Sequence, residues 1–161
     1  MHTLRTEVSL AKRSGKAVSA LCVDVDRFRF LNSRCGHTLG NELLTVLARL
    51  LEDELRDFDF LARLGDDRFL AIGPGLDRSQ IQPIVSQVES AAKLQFDQIS
   101  LGLERSVSIS AGGACFPEDA GSAETLLLTA YQSLYQEKLA REPITLNANG
   151  SAFVAMSSAA V

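Results

Sequence analysis

Four aspartates stand at two places in the chain where a metal site could form. Asp24 and Asp26 close an apolar run of strand length, and Asp66 and Asp67 lie in a short turn between two strand-like runs. Carboxylates at strand ends are held rigidly, and divalent cations such as Mg²⁺ prefer oxygen ligands. If strand and turn meet, these carboxylates could converge on a cation. Spacing alone favours the other interpretation, in which they are ordinary acidic residues of solvated turns.

The elements that must position these aspartates alternate between strands and helices. Residues 17–26 form an almost continuous apolar run, which predicts a strand covered on both faces. Residues 106–114 alternate between apolar and serine positions, which predicts a half-buried antiparallel strand. The remaining predicted elements are strands at 58–63 and 68–72 around a Leu64–Asp67 hairpin turn, helices at 4–12, 40–55, 81–92 and 123–139, a short helical or irregular connector at 28–35, and a second hairpin at Asn149-Gly150. This order predicts an α/β (α+β) fold in which helices surround one central mixed sheet.

Composition excludes several classes of function. The 161 residues suit one domain, and the net charge of −4 offers no basic face, so we expect no nucleic-acid partner. No apolar run approaches the length of a membrane span, so direct membrane insertion is not expected. The three cysteines are odd in number and far apart, which indicates a reducing, cytoplasmic location without disulfides.

Longer motifs around the aspartates resemble the GGDEF (diguanylate cyclase) family, whose pattern reads roughly DxDxFKxxND, GHxxGDxxL and RxGGDEF. The matching segments are Asp24-Val-Asp-Arg-Phe-Arg-Phe-Leu-Asn32, Gly36-His-Thr-Leu-Gly40-Asn-Glu-Leu-Leu44 and Arg63-Leu-Gly-Asp-Asp-Arg-Phe69. Residues 108–112 are similar to the family's SxG strand, and residues 130–138 to its ADxALYxAK helix. The resemblance covers residues 4–142. We therefore expect residues 1–161 to form a single degenerate GGDEF domain, with a C-terminal strand or hairpin and tail at 143–161.

The resemblance implies a nucleotidyl-cyclase-like fold and a known reaction, the condensation of two GTP molecules on facing domains to cyclic di-GMP. It implies that Asp24 and Asp67 are metal ligands, that Asn32 contacts guanine and that Lys138 contacts phosphates. Mg²⁺ is expected only if GTP binds. The vestigial nucleotide site that the resemblance implies consists of Phe28, Asn32, Asn41, Gly65 and Lys138.

Several departures from the family pattern lie at this site. Asp66 replaces the second signature glycine. Its side chain adds bulk and negative charge, and we expect it to conflict with the turn geometry that glycine permits. Arg68 replaces an acid, and a guanidinium neither ligates a metal nor accepts a proton. Asn41 replaces the guanine-reading aspartate, and Arg141-Glu142 stands where the family has Gly-Arg. No intact catalytic residue is expected, and Asp67 and Arg68 are vestigial.

A second motif, Arg56-Asp-Phe-Asp59, matches the family's RxxD inhibitory site, whose aspartate lies six residues before the first signature glycine. The arginine fork suits a guanine Hoogsteen edge or a phosphate, and the aspartate accepts from guanine N–H groups. The alternative is a surface ion pair at a helix C-terminus. A second arginine that many members supply from the following helix is missing, since Gln87 stands at that position.

The sequence therefore predicts a non-catalytic signalling domain that binds cyclic di-GMP through Arg56 and Asp59. It would relay occupancy by homodimerisation or by contact with other signalling domains. Three alternatives stay open: residual diguanylate cyclase activity, a GTP-binding regulatory module, and a pure interaction domain.

Overall fold

The computed structural model describes residues 1–54, 60–99 and 107–141, together with two backbone strands near the C-terminus. In chain order the elements are α1 (His2–Ser14), β1 (Val18–Val25), α2 (Phe28–Glu54), β2 (Phe60–Arg63), β3 (Arg68–Pro74), α3 (Arg78–Ile99), β4 (Ile109–Phe116), α4 (Ala123–Arg141), β5 (Ile144–Leu146) and β6 (Ala152–Val154). Each predicted helix and strand is present. The helices α1, α3 and α4 and the strand β3 are longer than the sequence pattern indicates, whereas β1 and β4 are shorter, and residues 58–59 of the predicted strand 58–63 lie outside the described residues.

The main sheet has the strand order β2-β3-β1-β4, and every pairing in it is antiparallel. The α+β class is confirmed, but the expectation of a mixed sheet is wrong for the described strands. β3 and β4 run in the same direction, yet β1 lies between them and opposes both. No two neighbouring strands are therefore parallel.

Helices cover both faces of this sheet. Along β1, Leu21 and Val23 pack into the cluster shared with α2 and α3, whereas Ala20 and Cys22 pack into the cluster shared with α1 and α4. All eight residues of β1 are buried, which confirms the prediction of a strand covered on both faces.

The prediction of a half-buried strand is wrong for β4. Ser110 is fully buried, and Gly113 is the only residue of β4 with partial exposure. The serines mimic a solvent face in the sequence pattern, but α4 covers one side of the strand and α3 covers the other. Gly112 allows this close packing, because a Cβ there would lie 2.0 Å from the backbone nitrogen of Leu134 on α4.

A break at Gly36 bends α2 within its length. Gly36 adopts φ 84° and ψ 162°, a conformation that L residues rarely adopt, and helix continues on both sides of it. The predicted connector at 28–35 is therefore a short helix at an angle to the longer one that follows. The bend brings Asn32 against Gly40.

The C-terminal strands β5 and β6 pair antiparallel, with Thr145 opposite Phe153, which agrees with the predicted second hairpin. Residues 147–151 between them, including Asn149-Gly150, lie outside the described residues. None of the described helices combines the length and the apolar character that are needed to cross a membrane.

Candidate functional site

The β2–β3 hairpin carries the signature turn to the end of β1. The backbone nitrogen of Leu64 donates to the carbonyl of Arg68 at 2.8 Å, and that of Val25 donates to the carbonyl of Asp67 at 3.4 Å. The exposed Arg63 stabilises the turn, since its Nε donates to the carbonyl of Gly65 at 3.0 Å and its Nη2 to that of Asp66 at 2.6 Å. Arg63 belongs to the motif predicted from the sequence, but this role could not be predicted from the sequence.

Asp24, at the end of β1, is the centre of the site. Its Oδ1 lies 2.5 Å from Nζ of Lys138, and the two side chains are 11% and 33% exposed. Burial raises the pKa of Asp24 above its ordinary value. The hydrogen bond and charge of Lys138 lower that pKa, whereas the charge of the adjacent Asp67 and a hydrogen bond to it raise it further. The structure thus brings together Asp24, Asp67 and Lys138, which the resemblance assigns to metal and phosphate binding.

The other two aspartates do not join this group. Asp26 accepts hydrogen bonds from the hydroxyls of Ser108, at 2.6 Å, and Ser110, at 2.7 Å, so it is turned towards β4. Asp66 is exposed in the turn. The interpretation in which all four carboxylates converge is therefore wrong, because the strand pairing gives Asp26 local hydroxyl partners.

The donor set limits which metal the site fits. Within the described part of the chain, no group of three or more acidic, histidine or cysteine side chains could hold a metal ion. Asp24 and Asp67 supply only two carboxylates, and Lys138 already binds one of them. Mg²⁺ characteristically uses one or two carboxylates together with substrate phosphates. These residues therefore fit a Mg²⁺ ion that arrives with a polyphosphate, but they do not suit a resident metal.

Arg141, near the position of the family's second phosphate-binding residue, is held by protein groups. Its Nη2 lies 2.7 Å from Oε1 of Glu89 on α3, its Nη1 donates to the carbonyl of Ile109, and its Nη1 is 3.9 Å from Oδ2 of Asp26. Glu89 also accepts from the backbone nitrogen of Ala111 at 3.2 Å. Glu89 was not among the residues predicted from the sequence, because its partners lie on other elements and no motif near it in the sequence indicates these contacts.

The residues expected near a nucleotide base lie on α2. Phe28 is buried, Asn41 is exposed, and Oδ1 of Asn32 is buried without a hydrogen-bond partner. Gly40 makes room for this amide, because a Cβ at Gly40 would lie 2.1 Å from that oxygen. An unpaired buried acceptor carries a desolvation cost, which an N–H donor of a ligand would relieve.

Arg68 lies directly opposite Asp24 in the register of β1 and β3, and it is exposed. Its charge lowers the pKa values of Cys22 and Tyr131, although burial raises both overall. The turn itself shows no backbone conflict: Arg27 is the only non-glycine residue with a positive φ in the described ranges. The expected clash between Asp66 and the turn geometry is therefore wrong, because Asp66 needs no left-handed conformation.

Arg56 and Asp59, the predicted cyclic di-GMP ligands, lie outside the described residues, as does Glu142. Gly65, six residues after Asp59, is described. It has open space around the position of a Cβ.

Comparisons with known proteins agree on one family. The family model described as diguanylate cyclase, GGDEF domain, matches residues 1–143. The diguanylate cyclase TpbB of Pseudomonas aeruginosa is 31% identical over 133 residues, which are 80% of this chain and 29% of TpbB. The chain thus spans less than a third of that relative's length.

Solved structures give the same result. The GGDEF domain of PA1120 (TpbB or YfiN) from P. aeruginosa superposes with a TM-score of 0.77 at 29% identity, covering 85% of this chain and 80% of that one. The GGDEF domain of DgcB from Caulobacter crescentus, solved in complex with c-di-GMP, has a TM-score of 0.72 at 20% identity, covering 86% and 82%, a likeness of fold alone. The match to the family model over residues 1–143, on a sheet and hairpin of this geometry, shows that the chain belongs to the GGDEF family.

Proposed function

We propose that this chain is a GGDEF signalling domain that does not synthesise cyclic di-GMP but binds it through Arg56 and Asp59. Binding would be relayed by homodimerisation or by contact with another signalling domain. The residues 1–161 act as one degenerate domain in this proposal, with Mg²⁺ needed only if GTP enters the old active site.

The observation that carries the loss of synthesis is the position of Arg68. It stands opposite Asp24 across the β1–β3 pairing, where the family signature has an acid. A guanidinium is permanently charged and only donates hydrogen bonds, so it neither ligates a metal nor accepts a proton. Beside it, the carboxylate of Asp24 is already bound by Lys138.

Two further features of the site support this proposal. Arg141 is engaged by Glu89 and by the carbonyl of Ile109, so reaching a phosphate would require breaking both contacts. Asn41 offers an amide where guanine, with its N1–H and N2–H donors, is best met by a carboxylate. Each defect reduces a different interaction with GTP, so their effects on turnover accumulate.

The binding half of the proposal rests on the placement of Arg56 and Asp59 in the chain. α2 ends at Glu54 and β2 begins at Phe60, so the motif occupies the connection that leads directly into the signature hairpin. The arginine fork and the carboxylate together match the hydrogen-bonding groups of guanine. The likeness in fold to the GGDEF domain of DgcB, which was solved in complex with c-di-GMP, is in keeping with this ligand.

Calorimetric titration of cyclic di-GMP into the nucleotide-free domain tests this function. We expect saturable binding by the wild type and at least a tenfold weaker affinity in Arg56→Ala, a loss of about 1.4 kcal/mol or more. Arg49→Ala removes an exposed arginine from α2 and serves as the matched control, which should bind as the wild type does. Absence of binding by the wild type would overturn the proposal.

The unpartnered oxygen of Asn32 favours a second candidate, a regulatory module that binds GTP with Mg²⁺ and does not convert it. A purine N–H donor would satisfy this buried acceptor. The same titration with GTP and Mg²⁺ distinguishes this candidate, because its signal should disappear in Asp24→Ala.

A further inference from the structure

We propose that Lys138 is an internal counter-cation: its ammonium group occupies the cation position of the Asp24–Asp67 pair and so excludes divalent metal ions that arrive without a nucleotide. This inference is independent of cyclic di-GMP binding at Arg56 and Asp59, and either can fail without the other.

The contact is close and sheltered. Nζ of Lys138 lies 2.5 Å from Oδ1 of Asp24, and the Asp24 side chain is only 11% exposed. Asp67 is near enough for a hydrogen bond to Asp24 and for its charge to act on it. Two carboxylates that share one half-buried place repel each other unless a proton or a positive charge lies between or beside them, and the ammonium group of Lys138 supplies the charge beside Asp24.

The fold fixes how far Lys138 reaches. Lys138 lies one helical turn after Leu134 on α4, and the backbone of Leu134 packs directly over Gly112 of β4, where no Cβ would fit. β4 pairs with β1, so this close packing sets the height of α4 above Asp24. The packing of two elements therefore places the backbone of Lys138 within reach of Asp24, and the ion pair at 2.5 Å completes the contact.

The tethered ammonium group of Lys138 competes for the carboxylate of Asp24 more effectively than a metal ion in solution does. It is always at the site, whereas a divalent cation must give up hydration water and displace Lys138 to reach Asp24. Arg68, opposite Asp24 in the strand register, adds a second positive charge at the same end of the sheet. With two carboxylates at most, the metal has too few ligands to offset these costs.

Titration with Mn²⁺ alone, followed by electron paramagnetic resonance of the free ion, tests the inference. We expect the wild type to bind weakly and Lys138→Met to bind at least tenfold more tightly, because it frees the carboxylate of Asp24 beside that of Asp67. The double variant Lys138→Met/Asp24→Asn should lose that gain. Lys16→Met, which removes an exposed lysine before β1 at the other end of the sheet, should behave as the wild type does.

A parallel thermal melt shows whether each variant is folded. If Lys138→Met does not fold, Lys138→Gln gives the same test, because it removes the charge and keeps an N–H donor for Asp24. The inference is wrong if the wild type binds Mn²⁺ as tightly as the folded Lys138 variant does. It is equally wrong if the gain in affinity persists once Asp24 is an asparagine.

Discussion

At the scale of single residues, the carboxylates of Asp24 and Asp67 lie together at the end of β1, whereas Asp26, two residues from Asp24, accepts hydrogen bonds from Ser110 of β4 and from Ser108 just before it. Lys138 and Arg68 bring positive charge to the same end of the sheet. The charges in this site thus neutralise one another within the protein. A nucleotide would have to compete with these internal contacts for Lys138.

Cys22 gives a pH prediction at this scale. Burial raises the pKa of its thiol to about 12 from an ordinary 9.0, although the Arg68 charge opposes the shift. Below pH 9 both folded and unfolded chains keep the proton; above it, only the folded chain does. The free energy of unfolding should therefore fall as pH rises, by up to about 1.4 kcal/mol per pH unit from this one group.

Urea denaturation at about pH 8 and about pH 10 measures this effect. Cys22→Ala should lose about 1 kcal/mol less stability over that interval than the wild type does. Cys35→Ala, in which a half-buried thiol outside β1 is removed, should retain the wild-type fall. Equal falls in the wild type and Cys22→Ala would contradict the assigned effect of burial.

Sequence reasoning identified most of the residues at the site but could not give their partners. Asp24, Asp67 and Lys138 each stand in a short motif that can be recognised locally in the sequence, and the structure brings the three side chains together. Glu89, which forms an ion pair with Arg141, could not be predicted, because the contact joins α3 to the end of α4 and the two residues are 52 positions apart in the sequence. The backbone at Asp66 was misjudged because a glycine in a family pattern need not mark a positive φ.

At the scale of elements, β4 and α4 are joined unusually closely. Gly112 faces α4, and the backbone of Leu134 lies in the place that a Cβ would need. Gly113 faces α3, and a Cβ built there would lie 3.5 Å from its nearest neighbour, the Cγ1 atom of Ile81. These adjacent glycines on opposite faces of one strand form a matched pair for testing the packing.

Gly112→Ala should lower the free energy of unfolding by about 1–3 kcal/mol or more, because backbone atoms cannot move aside as a side chain can. Gly113→Ala should leave that free energy unchanged or raise it by about 0.5–1 kcal/mol, because alanine loses less conformational freedom on folding. Urea denaturation of the two variants measures both effects. Similar stability losses in the two would show that α4 does not pack on β4 in this way.

Burial along β1 and β4 shows what a hydrophobic pattern in the sequence predicts correctly and what it does not. The continuous apolar run of β1 predicts burial on both faces, and the structure agrees. The alternating serines in residues 106–110 predict one solvent face, but Ser110 in β4 is fully buried, since its hydroxyl has Asp26 as a partner. A hydroxyl that is satisfied inside the protein looks the same in sequence as one that faces water.

At the scale of the whole molecule, the four-stranded antiparallel sheet with two helical layers leaves the hairpin, the end of β1 and the end of α4 at one end. This arrangement is the framework of a GGDEF domain, and it is intact here. The departures from the family signature at Asp66, Arg68 and Asn41 are replacements of side chains on that framework. We therefore expect a stable fold that does not synthesise cyclic di-GMP.

The most direct test of this central claim is an assay of cyclic di-GMP formation. The purified domain is incubated with GTP and Mg²⁺ at concentrations high enough for two domains to pair, and the nucleotides are separated by chromatography beside an active GGDEF domain as the positive control. We expect GTP to be recovered unchanged. Enzyme-dependent formation of cyclic di-GMP, abolished in Asp24→Ala, would contradict it and show that Arg68 and Asn41 are compatible with turnover.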